Sequence, residues 1–392
     1  MIISLDTKLF KRAIDKLCQI ASVNNLDSYA SQIKISTKNS NVILNAIDKE
    51  QIQSILIKMD DSACSIQEEG DVCIPAKTIQ QIVNLLKAEN IELSSVDTII
   101  TIKPLPSNND EESQTIEGIN PKLWIGADSV SSENTSILIK RDTFINALDM
   151  TGFSCSTDKS KAPLTAIYIR FKKDEDGIYC VSSDYARASI FEENNCILKN
   201  ANFEEDVLTL IHSDIAMKVK SLFSYNIDTI TLRIQSNKMS IIGGDTCFTF
   251  ASEVGIDKYP PIWTYLDEDM YVDYNVDAEE MQRCVGLVSA VAPLAASKIE
   301  FKDNIIISTK EKYNSSKQVL EVKKINKVSE DKYSLSISTY DLLNSLNKAR
   351  NENINIGLTT VKDHSHMNLF EIRDNIDGAT WRHIIFKSKK ED

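Results

Sequence analysis

One supersecondary pattern occurs three times in this chain, about 135 residues apart, and that repeat limits the fold more than any single motif. Helix-patterned segments carry an aromatic or Met, an Ala or Cys three residues on, and then an aliphatic: Phe10, Ala13, Ile14; Phe144, Ala147, Leu148; Met281, Cys284, Val285. A period-2 strand follows each, with Ile33 and Ile35, then Ile167, Ile169 and Phe171, then Ile299 and Phe301 on one face. Asn39-Ser40-Asn41, Asp176-Gly177 and Asp303-Asn304 close hairpins after those strands. A second helical pattern begins near Pro75, His212 and Ser338, and each leads into another pair of alternating strands with turns at Ser94-Ser95, Ser236-Asn237 and Asp363 to Ser365. A unit of roughly 130 residues with two helices and about eight short strands matches a whole domain, not a solenoid repeat. The expectation is an α+β chain of three tandem similar domains, 1–125, 126–258 and 259–392.

Composition narrows the class. With 42% apolar and 26% charged residues in 392, the chain can bury several ordinary cores. Charges at Asp6, Lys8, Lys11 and Arg12 break any signal-peptide pattern, and the longest uncharged stretch, 14 residues between Arg283 and Lys298, contains Pro293 and falls short of the roughly 20 that span a bilayer. A cytoplasmic protein without a membrane span is expected. Eight cysteines without a CxxC pair read as buried reduced thiols, and the His364/His366 pair as a solvated turn, so no metal and no cofactor are expected. GxxxxGK[ST], GxGxxG and GxSxG are all missing, and Gly243-Gly244-Asp245 reads as a turn, which favours a binding role over catalysis.

The distribution of charge says more than its sum of −13. Six helix-patterned segments, 7–21, 76–89, 139–152, 212–224, 276–290 and 338–350, together carry +4, which leaves −17 for the remainder. In the first helix Phe10, Ala13, Ile14, Leu17 and Cys18 form the apolar stripe and turn Lys8, Lys11, Arg12 and Lys16 outward. Lys77 and Lys87, Lys218 and Lys220, and Lys348 and Arg350 repeat this on the second, fourth and sixth segments. For each of these the plain alternative is a solvated helix face. As a set they suit a surface that meets DNA phosphates on a protein otherwise repelled by them.

Several stretches resemble the bacterial sliding clamp family, the beta subunit of DNA polymerase III. Ile74-Pro75-Ala76-Lys77 resembles the family's Val-Pro-Ala-Arg/Lys helix start. Val181 to Ala188 resembles its Ala-Thr-Asp-Gly-His-Arg-Leu segment, with Ser183, Asp184 and Arg187 matching best, and Phe248-Thr249-Phe250 with Lys258-Tyr259-Pro260 resembles its Phe-Thr strand and Arg-Phe-Pro linker. The resemblance implies a head-to-tail homodimer whose six domains ring duplex DNA without sequence preference and confer processivity. The implied partners are the polymerase III catalytic subunit, a clamp loader and other clamp-binding-motif proteins. It implies no catalytic residues. It further implies a partner-peptide cleft between domains two and three at Leu164, Ser183, Arg187, Pro260, Ile384, Ile385 and Phe386, and a dimer interface near Val291 and Leu294.

The sequence departs from the family at several of these positions. Tyr185 and Ala186 stand where the family has Gly-His, Ala188 stands for Leu, and Phe386-Lys387 to Asp392 replaces its Met-Pro-Met-Arg-Leu ending. An acidic, Asn- and Ser-rich stretch, Asn108 to Ser113, reads as an insertion in the first linker. Two alternatives stay open: a clamp-like binding protein of a plasmid, phage or divergent lineage, and a metal-dependent nucleic-acid-processing enzyme that would need a second acidic residue beside Asp184.

Overall fold

The computed structural model describes the chain except residues 22–28, 39, 49–52, 60, 107–111, 125–128, 202–204, 224–226, 253–254, 294, 329–333, 363, 377 and 387–392; for 61, 200, 201 and 364–367 it describes the backbone alone. The first third forms β1 (Ile2–Asp6), α1 (Thr7–Leu17), β2 (Gln32–Lys38), β3 (Asn41–Ile47), β4 (Gln53–Lys58), β5 (Cys64–Glu68), β6 (Asp71–Pro75), α2 (Ala76–Leu85), β7 (Asn90–Val96), β8 (Ile99–Leu105) and β9 (Gln114–Glu117). The second forms β10 (Thr135–Lys140), α3 (Arg141–Gly152), β11 (Ala166–Lys172), β12 (Gly177–Ser183), β13 (Arg187–Glu193), β14 (Ile197–Ala201), β15 (Val207–His212), α4 (Ser213–Leu222), β16 (Thr229–Gln235), β17 (Lys238–Gly243) and β18 (Thr246–Ala251). A short helix α5 (Ile262–Tyr265) precedes β19 (Val272–Asp277), α6 (Ala278–Val291), β20 (Ala296–Phe301), β21 (Ile305–Glu311), β22 (Asn314–Leu320), β23 (Lys324–Lys327), β24 (Ser334–Ser338), α7 (Thr339–Leu346), β25 (Asn353–Val361), β26 (His364–Ile376) and β27 (Ala379–Ile385).

The class is α+β, and the strand orders state one plan three times. A five-strand run (β5-β1-β7-β8-β9, β14-β10-β16-β17-β18, β23-β19-β25-β26-β27) accompanies a four-strand run (β4-β3-β2-β6, β13-β12-β11-β15, β22-β21-β20-β24). The same long-range bond starts the first helix each time: the N–H of Thr7, Arg141 and Ala278 donates to the carbonyl of Glu89, Asp228 and Glu352, at 2.9, 2.9 and 2.8 Å. Because the first four N–H groups of a helix lack intrahelical partners, this bond ties the helix start to the segment leading into β7, β16 or β25. The repeated Phe/Met, Ala/Cys and aliphatic positions are all at most 4% exposed, as the 3.6-residue period requires of a core stripe.

By packing the chain divides into two compact units, 1–141 with 198–203 and 218–252, and 142–197 with 204–217 and 253–392. In the first, β18 pairs antiparallel with β4, Thr246 opposite Ile57 and Phe250 opposite Gln53, so two runs merge into nine strands. In the second, β27 pairs with β13 from Arg187 opposite Ile385 to Glu192 opposite Thr380, with the same result. β9 and β22 hold the corresponding places in the plan and end their sheets without a partner strand among the described residues.

Local boundaries differ from the sequence reading. α1 stops at Leu17, where the Cys18 N–H still reaches Ile14 O, and α2 stops at Leu85 because Leu86 is already extended. Lys87, Lys348 and Arg350 therefore lie beyond their helices. Ser94 and Ser95 sit inside β7, and the turn falls at Asp97-Thr98, where Asp97 takes φ +54°. Gly244 does turn the chain between β17 and β18, at φ +56°. Asn39, Asp363 and most of the Asn108 to Ser113 stretch lie outside the described residues. Among the described residues no helix is long and apolar enough to cross a membrane.

Candidate functional site

In the second unit, β12 and β13 are joined by a turn that its own side chains hold in place. Asp184 Oδ1 accepts from the N–H groups of Ala186 and Arg187 at 2.9 and 3.0 Å. Ser183 Oγ accepts from Tyr185 N at 3.1 Å and donates to Arg187 O at 2.7 Å. Those four bonds hold Tyr185 at φ +74°, a left-handed conformation unusual for an aromatic residue, with its ring 61% exposed. Ser183 itself is fully buried, so it shapes the turn and presents nothing to solvent. Arg187 lies between two carboxylates, its Nε 3.1 Å from Asp184 Oδ2 and its Nη1 3.2 Å from Asp341 Oδ1, and its guanidinium covers the Phe153 ring at 5.7 Å.

β27 brings the end of the described chain to this turn. Arg187 pairs with Ile385, and Phe386 N donates to Ala186 O at 2.9 Å. Strand alternation then separates neighbours. Ile384 and Leu164, 0% and 2% exposed, belong to one apolar cluster with Tyr168, Val181, Ile190 and Tyr259, and Phe386 packs half-buried at its edge. Ile385 points to the opposite face and is ordinary core, which removes it from the cleft expected from the sequence. Pro260 follows Tyr259, whose phenol donates to Val181 O at 3.2 Å and is raised in pKa by burial. Trp263 on α5 packs against Tyr168 with ring centroids 4.6 Å apart and the planes tilted by 32°, and stacks on Tyr259 at 6.4 Å. The result is an apolar floor with a partly exposed aromatic and proline margin, the composition a peptide groove needs. A separate concavity of this unit, lined by Asn275, Asn353, Asn355, Arg373 and Asp273, is too polar to take an apolar anchor.

The basic residues read as DNA-facing divide into two groups. Lys8, Lys11 and Arg12 are exposed along α1, Lys77 is exposed on α2, and Lys87 and Lys220 are exposed. Lys220, though exposed, also has an interaction of its own; Lys16 bonds Asp245 Oδ1 at 3.3 Å and Thr246 Oγ1 at 2.8 Å, and Lys218 donates to Gln53 Oε1 at 2.7 Å. Lys348 and Arg350 both pair with Asp149, at 3.0 and 3.1 Å, and Arg350 also reaches Asn146. Those two are engaged within the unit by Asp149. Val291 ends α6 at 36% exposure beside β22, whereas Leu294 lies outside the described residues.

Asp184 does have a second acid close by, Asp341, but the Arg187 guanidinium occupies the place between them. Among the described residues no three His, Cys, Asp or Glu side chains converge as metal ligands, and the side chains of His364 and His366 lie outside them. The cysteines are unbridged; burial pushes the thiols of Cys18, Cys73 and Cys155 up to about 12, which keeps them protonated and unreactive at neutral pH. Sequence reasoning missed Asp341, Phe153 and Trp263. The aromatic density of Lys258-Tyr259-Pro260-Pro261-Ile262-Trp263-Thr264-Tyr265 was the one available signal for the last.

No protein-family model matches the chain, and no curated protein matches it. Solved structures do. The beta clamp of Helicobacter pylori in complex with 3,4-difluorobenzamide superposes with a TM-score of 0.86 at 18% identity over 100% of both chains. The DNA polymerase sliding clamp of Bacillus subtilis gives 0.85 at 15% identity, covering 100% of this chain and 99% of that one. The chain has the sliding-clamp fold. A further Helicobacter pylori beta clamp of that fold, bound to a DNA ligase peptide, gives 0.84 at 17% identity over 100% of both chains. Within the sliding-clamp fold of this chain, Leu164, Ser183, Arg187, Ile384 and Phe386 come together although they span more than half the sequence, while the basic residues remain spread over several elements.

Proposed function

We propose that the chain is a sliding clamp, a processivity factor for a replicative DNA polymerase. Two copies close head to tail into a ring of six domains, 1–125, 126–258 and 259–392 from each, around duplex DNA. The observation that carries this reading is the pair of unpartnered edges: β18 joins β4 and β27 joins β13, so β9 of one copy joining β22 of another continues the same rule. Such closure covers edges that would otherwise recruit foreign strands. Lys8, Lys11, Arg12, Lys77, Lys87 and Lys220 supply the phosphate-facing charge, with Lys16, Lys218, Lys348 and Arg350 placed by their own hydrogen bonds. A topological link needs no base contacts, so the clamp slides while raising the effective concentration of whatever it tethers. Tethering uses the groove over Leu164, Ile384, Pro260 and Phe386, which takes an apolar peptide end from the polymerase, the loader or other clamp-binding proteins. The clamp does no chemistry of its own and takes no cofactor.

Light scattering across a dilution series, followed by retention on circular and linearised duplex DNA after loading, tests this. A mass near 88 kDa, twice the 44.0 kDa chain, with retention on circles and loss from linear ends is expected. A persistent monomer that never remains on circles overturns the ring and leaves the fold in some other use.

A further inference from the structure

The groove margin holds two side chains whose chemistry goes beyond an apolar anchor. Lys161 Nζ lies 5.6 Å above the Tyr185 ring, joining the 3-10 segment Lys159–Thr165 to the turn between β12 and β13. Both ends of this contact are fixed to the groove: Leu164, three residues beyond Lys161, is in its floor, and Ala186, next to Tyr185, accepts the Phe386 N–H. Tyr185 is exposed and held at positive φ, a strained conformation for a non-glycine residue, and such strain persists where the surroundings over-determine it. Charge at the margin is unevenly engaged. Arg187 is neutralised by Asp184 and Asp341, and Asp158 is occupied by Ser160, accepting from both its N–H and its hydroxyl. Lys159 and Lys161 are exposed; after the Ser160 hydrogen bonds, the Lys161 charge helps to lower the pKa of nearby Asp158 without a close ion pair between them, which leaves its ammonium open to a further carboxylate.

We propose that Lys161 and Tyr185 form a selective rim that favours partner peptides carrying an acidic side chain beside their apolar anchor. This rests on the peptide-groove reading above and names the partner chemistry it takes. The ammonium meets the peptide carboxylate while the Tyr185 ring covers the adjoining stem, an arrangement in which the ring also holds Lys161 in place. An exposed ion pair is worth well under 1.4 kcal/mol, so the rim sets preference among peptides and leaves the main affinity to the groove floor.

The test uses the full-length protein and fluorescence anisotropy with two labelled peptides that share an apolar C-terminal anchor and differ only in the flanking residue, Asp or Lys. The Asp peptide is expected to bind about three- to fivefold tighter, in the range of exposed ion pairs, with the difference shrinking at high salt. Lys161→Glu should invert that preference, and Tyr185→Gly should reduce it. Equal binding of both peptides, or a preference untouched by Lys161→Glu, overturns the rim while leaving the groove intact. If neither peptide binds, the groove reading fails and the rim with it; weaker binding of both on Phe386→Ala, a half-buried position at the groove edge, with thermal stability retained, confirms that binding occurs in the groove.

Discussion

His383 shows how much a single buried group contributes here. It is fully buried, stacked on Trp381 at 5.8 Å and packed at a tilt against Phe153 at 5.0 Å, with Nδ1 2.7 Å from Ser189 Oγ, which in turn meets Ser154 Oγ at 2.8 Å. Burial, reinforced by the Arg187 charge, lowers its pKa from 6.5 to about 3. The unfolded chain therefore binds a proton that the folded chain refuses between those values, so stability is full above about pH 6.5 and falls as the pH drops toward 3. From pH 7 to 5, above most carboxylate titration, this one group should remove about 2 kcal/mol, and urea unfolding of His383→Phe at the two pH values should show a loss smaller by that amount. Equal losses in both proteins would show that the acid sensitivity lies elsewhere. Glu371 offers a second case, being 0% exposed, with Arg382 donating from Nε to Oε1 at 2.7 Å and from Nη2 to Oε2 at 3.1 Å, and Arg373 Nε donating to the same Oε1. Glu371→Leu should cost about 3–5 kcal/mol by stranding two guanidinium groups, and Glu371→Leu with Arg382→Met should recover part of it in the same unfolding assay. Neither network was legible in the sequence. The pairs Arg187 with Asp341 and Lys348 with Asp149 join positions 154 and 199 apart, and no local period marks them. Leu164, Arg187 and Ile384 were found only because short stretches resembled a family, and the resemblance grouped Ile385 with them, whereas alternation along the strand turns it to the other face.

Helices and strands were readable where one face is buried, because periods of 3.6 and 2 are consequences of burial itself. Their ends were not, since ends are set by competition with distant partners. α2 stops four residues early because the chain must extend for Glu89 O to accept the Thr7 N–H, a bond the helix pattern cannot announce. Ser94-Ser95 looked like a turn on composition, whereas the real turn needs the left-handed φ that Asp97 tolerates. Glycines divide in the same way. A Cβ on Gly357 would lie 1.8 Å from Val272 O, so β19 and β25 can pair only because that residue has no side chain. Gly357→Ala should therefore separate the two strands and lower stability by more than about 3 kcal/mol, the range of severe backbone conflicts. Gly286, inside α6 with nothing within 4 Å of its Cβ position, should do the opposite: Gly286→Ala gains about 0.5–1 kcal/mol through helix propensity. Thermal melts of the two variants read out both signs, and a stable Gly357→Ala protein would mean that the sheet can shift to admit a methyl group.

At the scale of the whole molecule, the threefold plan was legible because each repeat carries its own helix stripe and hairpins. The strand-to-strand joins were not legible, because β18 with β4 and β27 with β13 link stretches that share no sequence mark. Those joins turn the fold into a statement about assembly. Each leaves one five-strand run continuous with one four-strand run, and under the proposed ring closure the same rule pairs β9 with β22 of a second copy. The face around β22 has the character of such a join: Val319 is 52% exposed on the strand, and Leu287 and Val291 are 42% and 36% exposed on the α6 helix packed along it. Apolar side chains left in water at an unpaired edge favour association, and carboxylates placed there oppose it through desolvation and repulsion. Val291→Glu with Val319→Glu should therefore convert an 88 kDa particle, two chains of 44.0 kDa, into a 44 kDa one at micromolar concentration. Because both positions face solvent in the single chain, the monomer's unfolding free energy from urea titration should stay within about 0.5 kcal/mol of the parent's intrinsic stability. A doubly substituted protein that keeps the mass of two chains would place the contact on some other surface and break the link between the strand plan and ring closure. A halved mass accompanied by loss of retention on circular DNA would tie the two unpartnered edges directly to encirclement.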